Sequence, residues 1–333
     1  MARFVLSKSK VLGQYEKVRK FGFVSYSSKT NQDVTKILEE NTDSMFSVHF
    51  FNELKHLKDM SRVIFLAQAW NQSDIKKLIE GGINYFVVDN ESDLDELIKF
   101  LDLNDVKINL LLRLKLKENT IKTEKYFVFG MKVETVNRRL KELKNHKNIS
   151  KLGIHFHRKT QNMSEWNLTY ELSKIIDWYL VDIVNIGGGI PSVYANTNEE
   201  VIRTVFEKIK EFKEFINKEL IIEPGRFIAA PAVKLITKII GIHENNVIVD
   251  ASVYNTDMDS LIVPVKLLIE GELKKGVPYA VKGTTPCSLD LFRYKVYLEN
   301  PKVGDELVFL NAGAYNFSSD FCDLEKLETE VVE

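Results

Sequence analysis

The sequence predicts an α/β protein: a (β/α)8 TIM-type barrel over residues 1–225, followed by a C-terminal all-β domain over 226–333. Three observations carry this expectation. Up to about residue 223, eight short β-like runs alternate with amphipathic helical runs. Beyond Glu223 helical periodicity nearly vanishes until the acidic tail, and strand-like runs separated by turn signals take over. Polar and glycine residues also fall at the ends of the first eight strands, where a barrel would gather them on one rim.

The first strand candidate, Phe21–Tyr26, runs into Lys29, and Thr30 and Asn31 then offer a polar helix start. Met45–Val48, Val63–Ala67, Tyr85–Val88, Ile108–Leu114, Leu152–Phe156, Ile183–Ile186 and Leu220–Ile222 complete the eight. Apolar spacing predicts helices at Val34–Leu38, Asn52–Lys58, Ile75–Ile79, Leu94–Leu101, Val136–Leu143, Leu172–Trp178 and Val201–Phe215. Thr197 to Glu200 is a capping-box start for the last of these. A doubly wound open sheet is the alternative, and the strand count favours the barrel. In the second region Val233–Ile242, Val247–Val249, Leu261–Ile269, Tyr279–Lys282, Tyr294–Tyr297 and Leu307–Leu310 read as strands. Little precedes Phe21, so the β-domain is expected to draw almost wholly on residues after 225.

Composition narrows the function. Lys+Arg 46 against Asp+Glu 47 leaves a formal net charge of −1 over 333 residues. No basic excess exists to neutralise phosphates, which argues against a nucleic-acid-binding or membrane-surface protein. A hydrophobic content of 44% with 28% charged residues fits an ordinary globular protein. No apolar stretch reaches the length of a membrane span, and a signal-peptide pattern is absent, so the expected compartment is the cytoplasm. Cys287 and Cys322 are too few for a disulfide framework or a structural zinc site.

The strand ends carry the chemistry. Lys29 follows strand 1, His49 strand 2, Arg113 strand 5 and His157 strand 6; Gly187-Gly188-Gly189 follows strand 7 and Glu223-Pro224-Gly225-Arg226 strand 8. A lysine half-surrounded by apolar neighbours has its pKa lowered and becomes able to form a Schiff base with an aldehyde. Consecutive glycines let backbone N–H groups approach an anion, and Arg226 adds a charge-assisted contact, which together describe a phosphate cradle. Neither a dinucleotide fingerprint nor a phosphate-loop Gly-Lys-Ser/Thr accompanies the glycines. Glu223, after an apolar run, calls for a cationic partner such as a protonated ring nitrogen. His157 can stack on an aromatic ring or sit in the core as a satisfied histidine. Lysine, phosphate cradle, ring-nitrogen carboxylate and stacking imidazole are together what pyridoxal 5'-phosphate requires.

On these motifs the chain resembles the fold-type III pyridoxal-phosphate decarboxylases, the ornithine/diaminopimelate/arginine decarboxylase group with its alanine-racemase-like barrel. Tyr26-Ser27-Ser28-Lys29-Thr30-Asn31 is similar to the family's cofactor-lysine motif, and Gly153 to His157 to its ring-stacking histidine segment. Asn185 to Pro191 resembles the phosphate loop. Glu223-Pro224-Gly225-Arg226 resembles the family's most diagnostic motif, with Glu223 on the pyridine nitrogen and Arg226 near the phosphate. Gly313-Ala314-Tyr315 resembles the C-terminal signature whose tyrosine meets the phosphate, and Gly283 to Asp290 the specificity segment. The resemblance implies an amino-acid substrate, probed by Arg113, Asp257, Asp259 and Asp290, and a homodimer with shared sites. In it Cys287 would protonate the product across the interface.

The chain also departs from the pattern. The family's cysteine falls one place earlier, at Pro286, and Cys287 takes a slot often held by an acid. His157 is followed by Arg158-Lys159-Thr160 where small residues are usual; Thr160 still reaches toward a phosphate in this reading. A Lys-Phe-Gly element survives only as Val128-Phe129-Gly130. The run Asp250 to Pro264 is more like that of carboxynorspermidine decarboxylases, with Asp257 and Asp259 as substrate carboxylates or else as solvated loop acids. The expectation is decarboxylation of a diamino acid or polyamine precursor. A racemase on the same cofactor, or a non-catalytic pyridoxal-phosphate-binding protein, is the alternative.

Overall fold

Strand β1 (Arg3–Ser7) and helix α1 (Lys8–Arg19) come first in the computed structural model, which describes residues 1–116 and 129–333. Eight parallel strands then close on one another: β2 (Phe23–Ser27), β3 (Met45–Val48), β4 (Val63–Ala67), β5 (Tyr85–Val88), β6 (Ile108–Arg113), β7 (Ile149–His155), β8 (Ile183–Asn185) and β9 (Glu219–Ile222). Pairing of Phe23 with Ile221 and of Val24 with Ile222 shuts the barrel. The open-sheet alternative is thereby excluded. Helices α2 (Gln32–Asn41), α3 (Gln72–Glu80), α4 (Glu91–Leu103), α5 (Val133–Leu143), α6 (Leu168–Leu172) and α7 (Glu199–Ile216) connect the strands.

Burial on both faces explains why the strands read as continuous apolar runs: all five residues of β4 and all four of β5 are buried. Ile64, Leu66, Tyr85, Val87, Leu111, Ile183 and Ile221 form one cluster. Residues from five strands of a closed sheet meet this way only on its inside. Helix starts are fixed by asparagines. Asn31 accepts from the N–H groups of Asp33 and Val34, Asn71 forms a capping box with Asp74, and Asn90 accepts from the Asp93 N–H.

The chain divides into two compact units: Tyr15–Ile190 with Glu200–Gly225, and Met1–Gln14 with Pro191–Glu199 and Arg226–Glu333. The first fourteen residues, which the sequence reading placed with the barrel, therefore belong to the second unit. The cause is β1, whose Phe4 and Leu6 are buried and whose backbone pairs antiparallel with β10 (Val233–His243) and parallel with β16 (Thr329–Val332). Short helices α8 (Arg226–Ala229), α9 (Val253–Thr256) and α10 (Asp259–Ile262) lie in this unit. Its sheet runs in the order β12 (Leu268–Ile269), β15 (Glu306–Leu310), β10, β11 (Asn246–Val249), β13 (Pro278–Lys282), β14 (Leu291–Tyr297), with β1 and β16 off this path.

Four expectations change. Asn52–Lys58 is a 3₁₀ stretch, Phe51–His56, with no buried residue to anchor a longer helix. The helix expected over Leu172–Trp178 is mostly turn: α6 ends at Leu172, and a turn of 3₁₀ helix begins at Trp178. Leu261–Ile269 is mostly not a strand: α10 occupies its start, Pro264 offers no N–H for a ladder, and only Leu268 and Ile269 pair. The tail ends in β16 rather than in a helix.

Candidate active site

Side chains alternate along a strand, so the position two beyond a core residue faces the same way. Arg113 thus follows Leu111, Asn185 follows Ile183 and Glu223 follows Ile221, each continuing the inward face toward the C-terminal end of the barrel. His155 pairs in register with Asn185, and Ser47 with Ile64, so both join that face. Alternation alone converts an apolar interior into a polar mouth.

Glu223 sits at its centre, 2% exposed. Its Oε1 accepts from the Ser47 hydroxyl at 2.7 Å and from Asn185 Nδ2 at 2.8 Å. Its Oε2 lies 3.3 Å from His155 Nε2. The Ser25 hydroxyl is 2.7 Å from that of Ser47; because Ser47 donates to Glu223, Ser25 donates to Ser47. Burial by itself would raise the Glu223 pKa, but His155, His49 and the Ser47 hydroxyl outweigh it and hold the carboxyl well below its ordinary range. Burial lowers the pKa of His155, so the pair is an ionised glutamate receiving an N–H from a neutral imidazole. None of the three donors brings a formal charge.

Lys29 lies in a 3₁₀ turn, Ser28–Thr30, that directly follows β2. It keeps exposed surface, yet the protein around the mouth lowers its pKa. Loss of hydration is the largest cause; Arg113 adds to it, while Glu53 and Glu223 oppose it. The amine faces a mouth that opens to solvent but is walled by protein, so exposure and desolvation are compatible here. His157 is lowered to about 3, first by burial and then by Arg113 and Lys29, and is neutral at physiological pH. Its Nδ1 accepts the Gly188 N–H at 3.1 Å, which leaves the proton on Nε2 and fixes the ring. His49 is likewise held neutral by burial.

The glycines are required where they stand. Gly187 and Gly189 have φ of +63° and +98°, and a Cβ on Gly188 would come within 2.7 Å of the Glu223 carbonyl oxygen. Asn185 Oδ1 accepts the Gly187 N–H at 2.8 Å, so one side chain ties the glycine turn to Glu223. Gly225 is equally close-packed: a Cβ there would lie 2.2 Å from Thr30 Oγ1. Arg113 lies with its guanidinium 5.1 Å from the Phe129 ring centroid; Val128, of the same element, lies outside the described residues. The two charges after His157 are local ion pairs, Arg158 with Glu171 and Lys159 with Glu165, and Thr160 beside them is half-buried.

Sequence reading missed Ser47, His155, Asn185 as a ligand of Glu223, and Glu53. Glu53 Oε1 accepts the His49 N–H at 3.0 Å, while Oε2 is buried without a partner among the described residues, as is His49 Nδ1. Such orphaned polar atoms in a walled mouth mark a ligand site. The donor set fits pyridoxal phosphate: a lysine of lowered pKa, a neutral imidazole, a carboxylate held ionised, and a glycine turn no side chain can fill.

In the second unit, Arg226 is 3% exposed and its Nη1 donates to Asp259 Oδ2 at 2.5 Å and to Tyr194 Oη at 2.9 Å. Tyr315 is there too, its ring centroid 5.2 Å from the guanidinium carbon. Asp257 and Asp259 are 6% and 5% exposed, so they are not solvated loop acids, and Asp259 already has a cationic partner. Asp290 corrects a sequence expectation. It is fully buried and its carboxylate accepts from the Val253 N–H, the Thr285 N–H and the Thr285 hydroxyl, which makes it a brace of the specificity segment rather than a substrate contact. Cys287 is half-buried, with Sγ 3.1 Å from Tyr254 Oη. That hydrogen bond, with the backbone of Leu289 and Asp290, lowers the thiol's pKa.

Residues 9–230 match the family model described as "Pyridoxal-dependent decarboxylase, pyridoxal binding domain". Antizyme inhibitor 2 of Xenopus laevis is 24% identical over 89% of this chain and 72% of its own length. The probable chloroplastic diaminopimelate decarboxylase of Oryza sativa subsp. japonica is 24% identical over 78% of this chain and 58% of its own. The chain thus spans little more than half the length of the second. Among solved structures, the lysine/ornithine decarboxylase of Vibrio vulnificus, complexed with putrescine, superposes with a TM-score of 0.82 at 20% identity, covering 100% of this chain and 94% of that one. Matched across the strands whose ends hold Lys29, His157 and Glu223, the chain belongs to the pyridoxal-dependent decarboxylase family.

Proposed function

We propose that the protein decarboxylates an amino acid, a diamino acid or polyamine precursor, with pyridoxal phosphate as its cofactor. The observation that carries this is Glu223: a buried carboxylate held ionised, with hydrogen bonds from Ser47, Asn185 and His155 that fix where its charge is presented. The cofactor, once bound, supplies an aldehyde for the substrate amine and a ring that takes up the electron pair left when the carboxylate departs. Glu223 would hold a proton on the ring nitrogen, which would deepen that electron sink and favour loss of carbon dioxide over racemisation. Lys29 supplies an amine whose lowered pKa leaves more of it unprotonated and able to attack the aldehyde. His157, neutral and fixed by Gly188, would stack on the ring. Gly187 to Gly189 would hold the phosphate, and Arg226, with Tyr315 beside it, would supply the positive charge for it.

Cys287 is the donor that returns a proton to the α-carbon, its thiol tuned by Tyr254. Arg113 is the reader of the substrate side chain. The active form is a cytoplasmic homodimer, which sedimentation of the purified chain checks; a monomer at full activity overturns it. The reaction itself is tested by incubating cofactor-loaded protein with ornithine, lysine, arginine, diaminopimelate, carboxynorspermidine and neutral amino acids under mass spectrometry. A product lighter by carbon dioxide is expected. Unchanged mass with scrambled chirality would move the assignment to racemisation. The Xenopus laevis relative is named antizyme inhibitor 2 and not as an enzyme, so cofactor binding with no turnover would favour a non-catalytic role.

A further inference from the structure

Arg226 is enclosed more tightly than ion pairing alone requires. Its Nη1 donates to both Asp259 Oδ2 and Tyr194 Oη, and its guanidinium carbon lies 5.7 Å and 5.2 Å from the ring centroids of Tyr194 and Tyr315. Tyr194 is 2% exposed and Asp259 5%. A guanidinium carries its N–H groups in one rigid plane, so two acceptors on one nitrogen and aromatic rings beside it fix where all the others point. A buried charge needs a partner, and Asp259 supplies that; the Tyr194 hydroxyl and the ring contacts add direction rather than charge.

We propose that Asp259 and Tyr194 are positioning residues that set the plane in which Arg226 meets the phosphate of the bound cofactor. The inference rests on the cofactor reading above and adds these two residues to it. Asp259 is thereby an orienter of the phosphate contact instead of a substrate carboxylate. Asp257 is consistent with this division of labour. It is the second buried acid of the cluster, near Asp259, Arg226, Tyr194 and Lys266, and burial together with the Asp259 charge keeps it protonated at neutral pH, so it does not compete for the arginine.

The test measures binding by the full chain freed of cofactor, with pyridoxal phosphate and with pyridoxal, which lacks the phosphate. Asp259→Ala should weaken pyridoxal phosphate about tenfold while leaving pyridoxal within about twofold, because a planar arginine–phosphate contact depends on orientation. Asp259→Asn, which keeps an acceptor for Nη1, and Tyr194→Phe should fall between wild type and alanine. They carry the test where the alanine variant does not fold. Equal weakening of both ligands would mean a merely structural role and overturn the proposal, as would unchanged affinity for pyridoxal phosphate. A wild-type protein that binds both ligands equally well overturns this inference alone; one that binds neither overturns the cofactor reading with it.

Discussion

Glu223 in the barrel and Asp257 in the β-rich unit are both buried acids, 2% and 6% exposed, and they behave oppositely. Burial raises both pKa values. Glu223 nevertheless ends far below the usual carboxylate range, whereas Asp257 is pushed up to about 8. The difference lies in their neighbours. Glu223 receives three side-chain hydrogen bonds that favour its charged form. Asp257 has another acid, Asp259, as its next-largest influence, and the hydrogen bond from Ser260 with the more distant Lys266 and Arg226 does not compensate. Depth does not decide the ionisation of an acid; the donors the fold brings to it do.

Removing the charge of Glu223 is the largest expected effect. In Glu223→Gln the amide oxygen can still receive Ser47 and Asn185, but the amide N–H₂ then faces His155, which must turn its own N–H to Nδ1, where no acceptor waits among the described residues. More important, a neutral amide no longer holds a proton on the ring nitrogen. Turnover of the decarboxylation substrate should fall by about a hundredfold or more, the range seen when an electrostatic stabiliser of a transition state is lost. Steady-state kinetics at fixed cofactor saturation reads it, and a variant within about threefold of wild type would remove Glu223 from the chemistry.

Asp257→Asn should do the reverse and stabilise the protein. The folded chain keeps the Asp257 proton up to about pH 8, while the unfolded chain releases it near the usual value of 3.8. Between those limits the folded state binds more protons, so its stability falls as pH rises, by up to about 1.4 kcal/mol for each pH unit. Above pH 8 the loss levels off. Asparagine carries no such slope, so the variant should match wild type near pH 4 and gain on it steadily toward pH 8. Denaturant melts at several pH values measure the gap, and a gap independent of pH would show that Asp257 is ionised in the folded protein.

Much of the Glu223 side of this contrast was legible in the sequence, and little of the Asp257 side. Strand runs and the residues at their ends follow from alternation, so Lys29, His157, the glycines and Glu223 were placed without coordinates. The donors to Glu223 were harder to see, because Ser47 and Asn185 look like ordinary small polar residues, and His155 stands two places before a histidine that already had a role. Helix α1 left a readable trace in Val11, Tyr15 and Val18, all buried at helical spacing. β1 left none, since Arg3 pairs with Ile236 and only the folded chain brings them together. Acids in an irregular stretch read as solvated. That Asp257 and Asp259 turn inward depends on Arg226 being there to meet one of them.

The smallest predicted effect is the one that would move Glu223 toward the behaviour of Asp257. Ser47→Ala deletes one of the three donors without touching charge, and leaves the Ser25 hydroxyl, which donated to Ser47, to find another acceptor. Losing a hydrogen bond to a buried charged group costs about 1–3 kcal/mol. Because the lost bond favoured the ionised form, the Glu223 pKa rises in the variant. A depressed carboxylate pKa contributes stability that is present above the unfolded value and disappears as pH falls through the folded one. Wild type and Ser47→Ala share one unfolded state, so both weaken in parallel through the range of an unfolded glutamate, and the gap between them holds from neutral pH until pH falls to the folded-state values, well below the usual carboxylate range. The same melts read it. A gap at neutral pH smaller than about 0.5 kcal/mol, the low end for a hydrogen bond, would mean that Asn185 and His155 suffice to keep Glu223 unlike Asp257.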